Sequence, residues 1–315
     1  MTTTVPAGAE TTGTQDFPIH VTSLDIRGPY DLAEVALMEF GHRDERRFDG
    51  VMRLAFCLET DYETPVGVEA RQEGGRVELI VRPARRHPLD QAELGAVRGQ
   101  VARVLSLDHD GEAFDAVCRR DPVLARLHAV APGFRPALFY SPYEAAVWSV
   151  VSARRPRGQG IALRQRLCEG AGTTLMLAGQ PVAALPTPSR LRRVEAVPGL
   201  PADRVPRLHA IAEAAQQGRL SADRLRAMAP AEAMADLQRL PGIGPFYSSL
   251  IVIRALGHAD VLPVGEAHAR SAVERLYGIE EELSQTQLEQ LAEEWRPFRT
   301  WVMVTARALG GRLAG

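Results

Sequence analysis

The chain has 315 residues, of which 45% are hydrophobic and 24% charged, and a formal net charge of −2. That composition fits a globular protein of about two domains, and no apolar run approaches the roughly 18 residues a spanning helix needs. All 37 basic residues are arginine, which excludes mechanisms built on a lysine Schiff base or a P-loop lysine. In chain order, residues 1–16 are rich in Thr and Gly, lack the basic-then-apolar order of a secretory signal, and are expected to be a disordered tail on a cytoplasmic chain. Strand-like segments follow at 20–26 and 51–58. Two more, at 66–72 and 76–82, flank Gly74 and Gly75 as a hairpin in which Val77, Leu79 and Val81 alternate with Arg76, Glu78 and Ile80. Helical patterns at 31–40 and 90–105 complete an α+β domain expected over 17–108. Pro122, Pro132, Pro136 and Pro142 then punctuate the chain, and beyond them strand signals fade.

Residues 109–315 are expected to form an all-helical domain. Pro142 opens a helix carrying Ala146, Val147, Val150 and Val151, while Thr187-Pro188 and Ser221 have the chemistry of helix starts. Further helices are expected at 203–217, 231–239, 246–256, 266–276 and 297–309. The predicted fold class is thus an antiparallel sheet with helices, followed by an all-α domain. Cys57, Cys118 and Cys168 are odd in number and far apart, as buried thiols would be, and neither they nor the eight histidines have metal-ligand spacing. His268 reads as a helix-surface residue. Charge is unevenly spread: 152–167 holds Arg154, Arg155, Arg157, Arg164 and Arg166 with no acid, whereas six glutamates crowd 280–294. One face can therefore be basic on a nearly neutral chain.

The most informative segment is Leu240-Pro241-Gly242-Ile243-Gly244-Pro245, set between two helical patterns. Glycines two apart suit a tight hairpin, with Leu240 and Ile243 buried between the helices. The backbone N–H groups of Gly242, Gly244 and the residues opening the next helix then point outward at a helix N-terminus, where a phosphate is held without regard to base sequence, and Ile243 is counted with Gly242 and Gly244 among the DNA-backbone contacts.

With these features the chain resembles the helix-hairpin-helix (HhH-GPD) DNA glycosylases, and among them DNA-3-methyladenine glycosylase II, the AlkA-like enzymes. The resemblance runs through Gly28-Pro29-Tyr30-Asp31, Asp121-Pro122-Val123-Leu124, Ser141-Pro142-Tyr143-Glu144-Ala145, Pro186-Thr187-Pro188, the hairpin at 240–245, and Glu294-Trp295-Arg296-Pro297-Phe298-Arg299. It implies base excision repair: a monofunctional glycosylase that flips alkylated purines out of duplex DNA, hydrolyses their bond to the sugar and hands the abasic site to a separate endonuclease. In that family a catalytic aspartate lies about twenty residues beyond the aromatic that follows the hairpin. Counting from Phe246 lands on Glu266, so a glutamate stands in its place. Asp260 is a second, lesser candidate, expected instead to order its loop.

The resemblance further implies that Phe246, Trp148 and Tyr247 line the base pocket and that Trp295 and Trp301 brace the C-terminal helices. Arg154, Arg155 and Arg157 would contact the DNA backbone, with Arg154 at the position of the wedge that fills the flipped-out base's place. No metal or organic cofactor is implied, a monovalent ion at the hairpin stays open, and a monomer with a cytoplasmic, nucleoid-associated location and no membrane contact is expected. The lack of lysine sets aside the lyase branch, and the lack of clustered cysteines the iron–sulfur branch. Two other readings remain: a catalytically weak or silent helix-hairpin-helix protein that binds damaged or bent DNA, and, less well matched, a helical transcription regulator, for which no helix with several polar base-readers is apparent.

Overall fold

The computed structural model describes residues 18–42 and 45–313, so the expected tail at 1–16 lies outside the described residues. The chain runs β1 (His20–Asp25), α1 (Leu32–Ala36), β2 (Met52–Cys57), β3 (Pro65–Glu73), β4 (Arg76–Pro83) and α2 (Gln91–Val104). There follow α3 (Gly111–Arg120), α4 (Pro122–Val130), α5 (Pro142–Ser152), α6 (Arg157–Ala171), β5 (Thr173–Leu177), β6 (Gln180–Ala184) and α7 (Pro188–Leu191). The rest is helical: α8 (Val205–Gln216), α9 (Ala222–Arg226), α10 (Pro230–Leu237), α11 (Pro245–Arg254), α12 (Ala267–Tyr277), α13 (Gln285–Ala292) and α14 (Arg299–Leu309).

β1 to β4 form one antiparallel sheet in the order β1-β4-β3-β2. Its register follows from alternation: Val77, Leu79 and Val81 of β4 are fully buried, and Val81 stands opposite both His20 of β1 and Val68 of β3. Helix starts coincide with capping residues. Asp90 and Glu93 make a reciprocal capping box on α2, Asp121 caps α4 ahead of Pro122, Ser141 caps α5 ahead of Pro142, and Thr187 and Ser221 cap α7 and α9.

Two features depart from the sequence expectation. The helical part contains the β5–β6 hairpin, which packs on the sheet: Arg53 Nε donates to the Leu177 carbonyl at 3.1 Å and the Ala178 N–H donates to Glu69 Oε1 at 2.9 Å. Burial, moreover, does not divide at residue 108. One core joins the sheet and α2 to α3, α4 and α12–α14 through Leu54, Val68, Val101, Trp295 and Trp301; the other joins α5, α6 and α8–α11 through Val147, Leu163, Leu208, Leu237 and Ile251. The C-terminal helices thus return to the N-terminal half. Cys57, Cys118 and Cys168 are all buried free thiols, and burial pushes Cys118 up to about 12. Among the described residues no helix is long and apolar enough to cross a membrane.

Candidate nucleic-acid interface and active site

The α10–α11 corner is built by short-range bonds. The Leu240 N–H donates to the Leu237 carbonyl at 3.0 Å, the Ile243 N–H to the Leu240 carbonyl at 3.1 Å, and Gln238 Nε2 reaches across to Ser248 Oγ at 3.1 Å. Leu240 and Ile243 are each 4% exposed and anchor the corner in the second core. Ile243 therefore corrects the sequence expectation: its amide is spent inside the turn and does not face a ligand. The N–H groups of Gly242 and Gly244 make no hydrogen bond among the described residues. No side chain caps α11, and the N–H groups of its first turn, at Phe246 and Tyr247, have no intrahelical acceptor. The donors presented outward are thus those of Gly242, Gly244 and the first turn.

Phe246 is exposed and meets Tyr247 edge-to-face at 5.1 Å between ring centroids. The Tyr247 hydroxyl lies 3.2 Å from Ser152 Oγ, which ties α11 to the end of α5. Trp148 is elsewhere. Every residue of α5 is buried, and Trp148 packs at 6.3 Å from Phe139 within the core, so it offers no face to a base. This overturns its expected place in the pocket: in a helix that is buried all round, a Trp is core.

Between α5 and α6 the chain turns at Arg154, an exposed residue with φ +58°, a left-handed conformation that non-glycine residues adopt at a cost of order 1 kcal/mol. Arg155 folds back to the Ala153 carbonyl at 3.2 Å. Arg157 turns the other way, pairing with Glu39 at 2.9 Å and donating to the Gly41 carbonyl at 3.2 Å, so it faces the N-terminal half rather than the hairpin. Two arginines that sequence reasoning missed stand beside the hairpin. Arg207 of α8 lies along Gly242, where a Cβ would sit 3.2 Å from its Cδ, and Arg204 donates to the Val150 carbonyl at 3.2 Å. Partial burial, then the neighbouring Arg207 and Arg155, hold the Arg204 guanidinium below its usual value.

Glu266 stands at the head of α12, at the end of a loop fixed from two sides. From α11, Ser249 Oγ accepts the Val264 N–H at 3.1 Å. From the start of α14, Thr300 Oγ1 accepts the Val261 N–H at 2.9 Å and Arg299 Nε reaches an Asp260 carboxylate oxygen at 2.8 Å, as does Nη1 of Arg296, three residues earlier. Asp260 is thus tied up in ordering this loop, chiefly through guanidinium groups. The Glu266 carboxylate is largely enclosed, 14% exposed, with Arg307 of α14 at 3.4 Å.

Arg307 also lines a cavity of about 600 Å³ bounded by Phe40, Phe134, Arg157, Arg254 and Val304. Phe40 is covered on one side by the Arg254 guanidinium, 3.5 Å from the ring centroid. Sequence reasoning missed both aromatics here, because the fold brings them from distant segments with no local motif. Trp295 and Trp301 are nearly fully buried, as expected; Trp295 Nε1 donates to the Tyr277 hydroxyl at 3.2 Å, and Trp301 packs on Phe114. His268 is exposed on α12.

An α+β sheet layer joined to a helical bundle that carries a glycine-bent helix-hairpin-helix corner is the fold of the helix-hairpin-helix DNA glycosylases. Among solved structures it is similar to the 3-methyladenine DNA glycosylase from Archaeoglobus fulgidus, with 22% identity over 92% of this chain and 98% of that one and a TM-score of 0.73. It is also similar to the Clostridium acetobutylicum 8-oxoguanine glycosylase/lyase (17% identity, 93% and 99% covered, TM-score 0.62) and to a DNA-3-methyladenine glycosidase from Bacillus halodurans (23%, 63% and 88%, 0.51). No family model matches the chain, and no curated protein sequence does.

Proposed function

We propose that this chain is a monofunctional DNA glycosylase that flips alkylated purines such as 3-methyladenine and 7-methylguanine out of duplex DNA and hydrolyses their N-glycosidic bond. The observation that carries the reading is the placement of Glu266. Its loop is pinned by Ser249 to the same helix that the hairpin opens, and its carboxylate is one guanidinium away from a cavity of about 600 Å³, within the roughly 300–1,000 Å³ usual for small-ligand pockets. The solved Clostridium enzyme, also structurally similar, has been captured with double-stranded DNA.

On this reading the hairpin amides hold a phosphate, Arg154 fills the space the flipped nucleotide leaves, and Phe246 and Phe40 offer ring faces to the base. Alkylation at N3 or N7 makes the base a cationic leaving group, so the chief task is to stabilise positive charge developing on the sugar and to orient water, which the Glu266 carboxylate does. The chemistry needs no cofactor, and the abasic product passes to a separate endonuclease. A monomer acting on chromosomal DNA in the cytoplasm suffices. The test is release of both methylated bases from methylated duplex by the native chain and by Glu266→Gln. Release by the native chain with a loss on the order of a hundredfold or more in the variant supports the proposal; release that Glu266→Gln leaves unchanged overturns the role of Glu266.

A second reading, a silent protein that binds damaged or bent DNA, is favoured by one observation: Arg307 partly neutralises the acid on which the chemistry depends. Tight binding of an abasic duplex with no base release by the native chain would select it.

A further inference from the structure

Arg204 has Arg207, Arg155 and Arg154 as charged neighbours, so guanidinium groups from two separate parts of the chain are gathered around it. Arg154 and Arg155 come from the α5–α6 turn, Arg204 and Arg207 from the start of α8. Arg204 spans the two by donating to the Val150 carbonyl near the end of α5 at 3.2 Å, and the Arg207 stem runs against Gly242 of the hairpin. Among the described residues the acid paired with Arg207 is Asp203, which is 67% exposed and 3.8 Å away, a separation and exposure at which an ion pair contributes little. Like charges held this close repel. The fold keeps them together through packing and backbone contacts, a cost that an anion bound among them would offset.

The anion must suit several features at once. It has to present several negative charges along a line, because the guanidiniums extend from the glycine corner to the α5–α6 turn. It must approach the exposed amides of Gly242 and Gly244 as well as the arginines. A nucleic-acid backbone meets both conditions, and a single small anion meets only the second.

We propose that Arg204, at the N-cap of α8, and Arg207 of α8 extend the hairpin into a clamp on the DNA sugar–phosphate backbone, so that the start of α8, the hairpin and the α5–α6 turn grip one stretch of duplex. This rests on the reading that the chain binds DNA and adds two residues and one element to the interface. The contacts carry no base preference. Their contribution is affinity, register and the strong salt dependence that follows from counterion release.

The experiment is titration of an undamaged fluorescent duplex with the full chain at several salt concentrations between about 50 and 200 mM, for the native protein, Arg207→Gln, Arg207→Lys, Arg204→Gln and Arg76→Gln. Arg76 lies on the sheet, paired with Asp25, and serves as the control. Removing one guanidinium from a phosphate makes the slope of log K against log salt shallower by about 0.9, which is roughly a threefold change in affinity across that range. Arg207→Gln and Arg204→Gln should each show that shallower slope, Arg207→Lys should retain the native slope because it keeps the charge, and Arg76→Gln should match the native chain. Arg204→Gln also removes the bond to Val150, so Arg207→Gln is the cleaner variant, and thermal melting confirms that each variant is folded. If the native chain binds with a steep slope and folded Arg207→Gln has the same slope, the clamp is overturned while DNA binding stands. If the native chain does not bind duplex at any of these salt concentrations, the DNA-binding reading falls and the clamp with it.

Discussion

Gly242 and Gly244 stand two residues apart and answer to different constraints. Gly242 has φ +90°, which requires glycine, and a Cβ there would come within 3.2 Å of Arg207 Cδ and push that side chain aside. Gly244 is extended, at φ −94° and ψ −173°, and a Cβ there would meet nothing within 4 Å. Among the described residues nothing demands glycine at 244; its missing side chain leaves the approach to the helix N-terminus open. Gly242→Ala should therefore lower stability by about 1–2 kcal/mol. Gly244→Ala should leave stability within about 0.5 kcal/mol, since a poorer N-cap is offset by a stiffer unfolded chain. Its effect should fall on duplex binding, where the added methyl stands in the path of a phosphate. Thermal melts and a duplex titration on the two variants separate these outcomes, and native-like binding by Gly244→Ala would remove the hairpin from the interface.

Among elements, legibility tracked how local the signal was. β1–β4 were readable because apolar alternation and a Gly-Gly turn are local, and α5, α7 and α9 because their caps are. The β5–β6 hairpin was not: its strands have five residues each, its turn is Ala178-Gly179 rather than Asn-Gly, and its stability comes from Leu175 and Leu177 packing on the sheet. The site divides the same way. The hairpin and Glu266 were visible as motif and spacing, whereas Arg204 and Arg207 lie more than thirty residues from the hairpin and are brought to it only by packing. One tie at the base of the hairpin has a pH signature. Asp236 of α10 pairs with Arg224 of α9 at 2.9 Å, and that hydrogen bond holds its carboxyl below the ordinary 3.8. A depressed folded value means the stabilisation is fully present above the unfolded value and is lost as pH falls through the folded one, so it fades below about pH 4. Asp236→Asn should cost about 1 kcal/mol at neutral pH and converge with the native chain in acid. Denaturant melts at pH 7 and pH 3 check this; a constant difference would mean that the pair contributes through packing alone.

At the scale of the whole molecule, the question is what makes two cores act as one support for the hairpin. The seam is polar and buried. Arg103 of α2, 5% exposed, donates through Nε to the Ala255 carbonyl at the end of α11 at 2.9 Å and through Nη2 to the Tyr140 carbonyl at 3.3 Å, and it also pairs with Glu59. Gln100, one turn earlier, donates to the carbonyls of Tyr140 at 3.0 Å and Cys57 at 3.3 Å. The helix that begins at the hairpin is therefore tethered at its far end to the sheet domain's helix. Burial raises the Glu59 carboxyl above its ordinary 4.5, with the Arg103 charge opposing the shift. Arg103→Met keeps much of the side-chain volume but strands that carboxylate, so we expect a loss of about 3 kcal/mol at neutral pH. A raised folded value means the proton is bound more tightly in the native state: stability is fully present below the unfolded value of 4.5 and is lost as pH rises through the folded one. Removing the guanidinium raises the folded value further. The cost of Arg103→Met should consequently be largest at neutral pH, shrink as pH falls through the variant's raised folded value, and be gone by the unfolded value of 4.5. If the variant is destabilised equally at pH 7 and pH 4, the seam is held by the carbonyl contacts rather than by charge, and Glu59→Gln in the Arg103→Met background should then restore nothing.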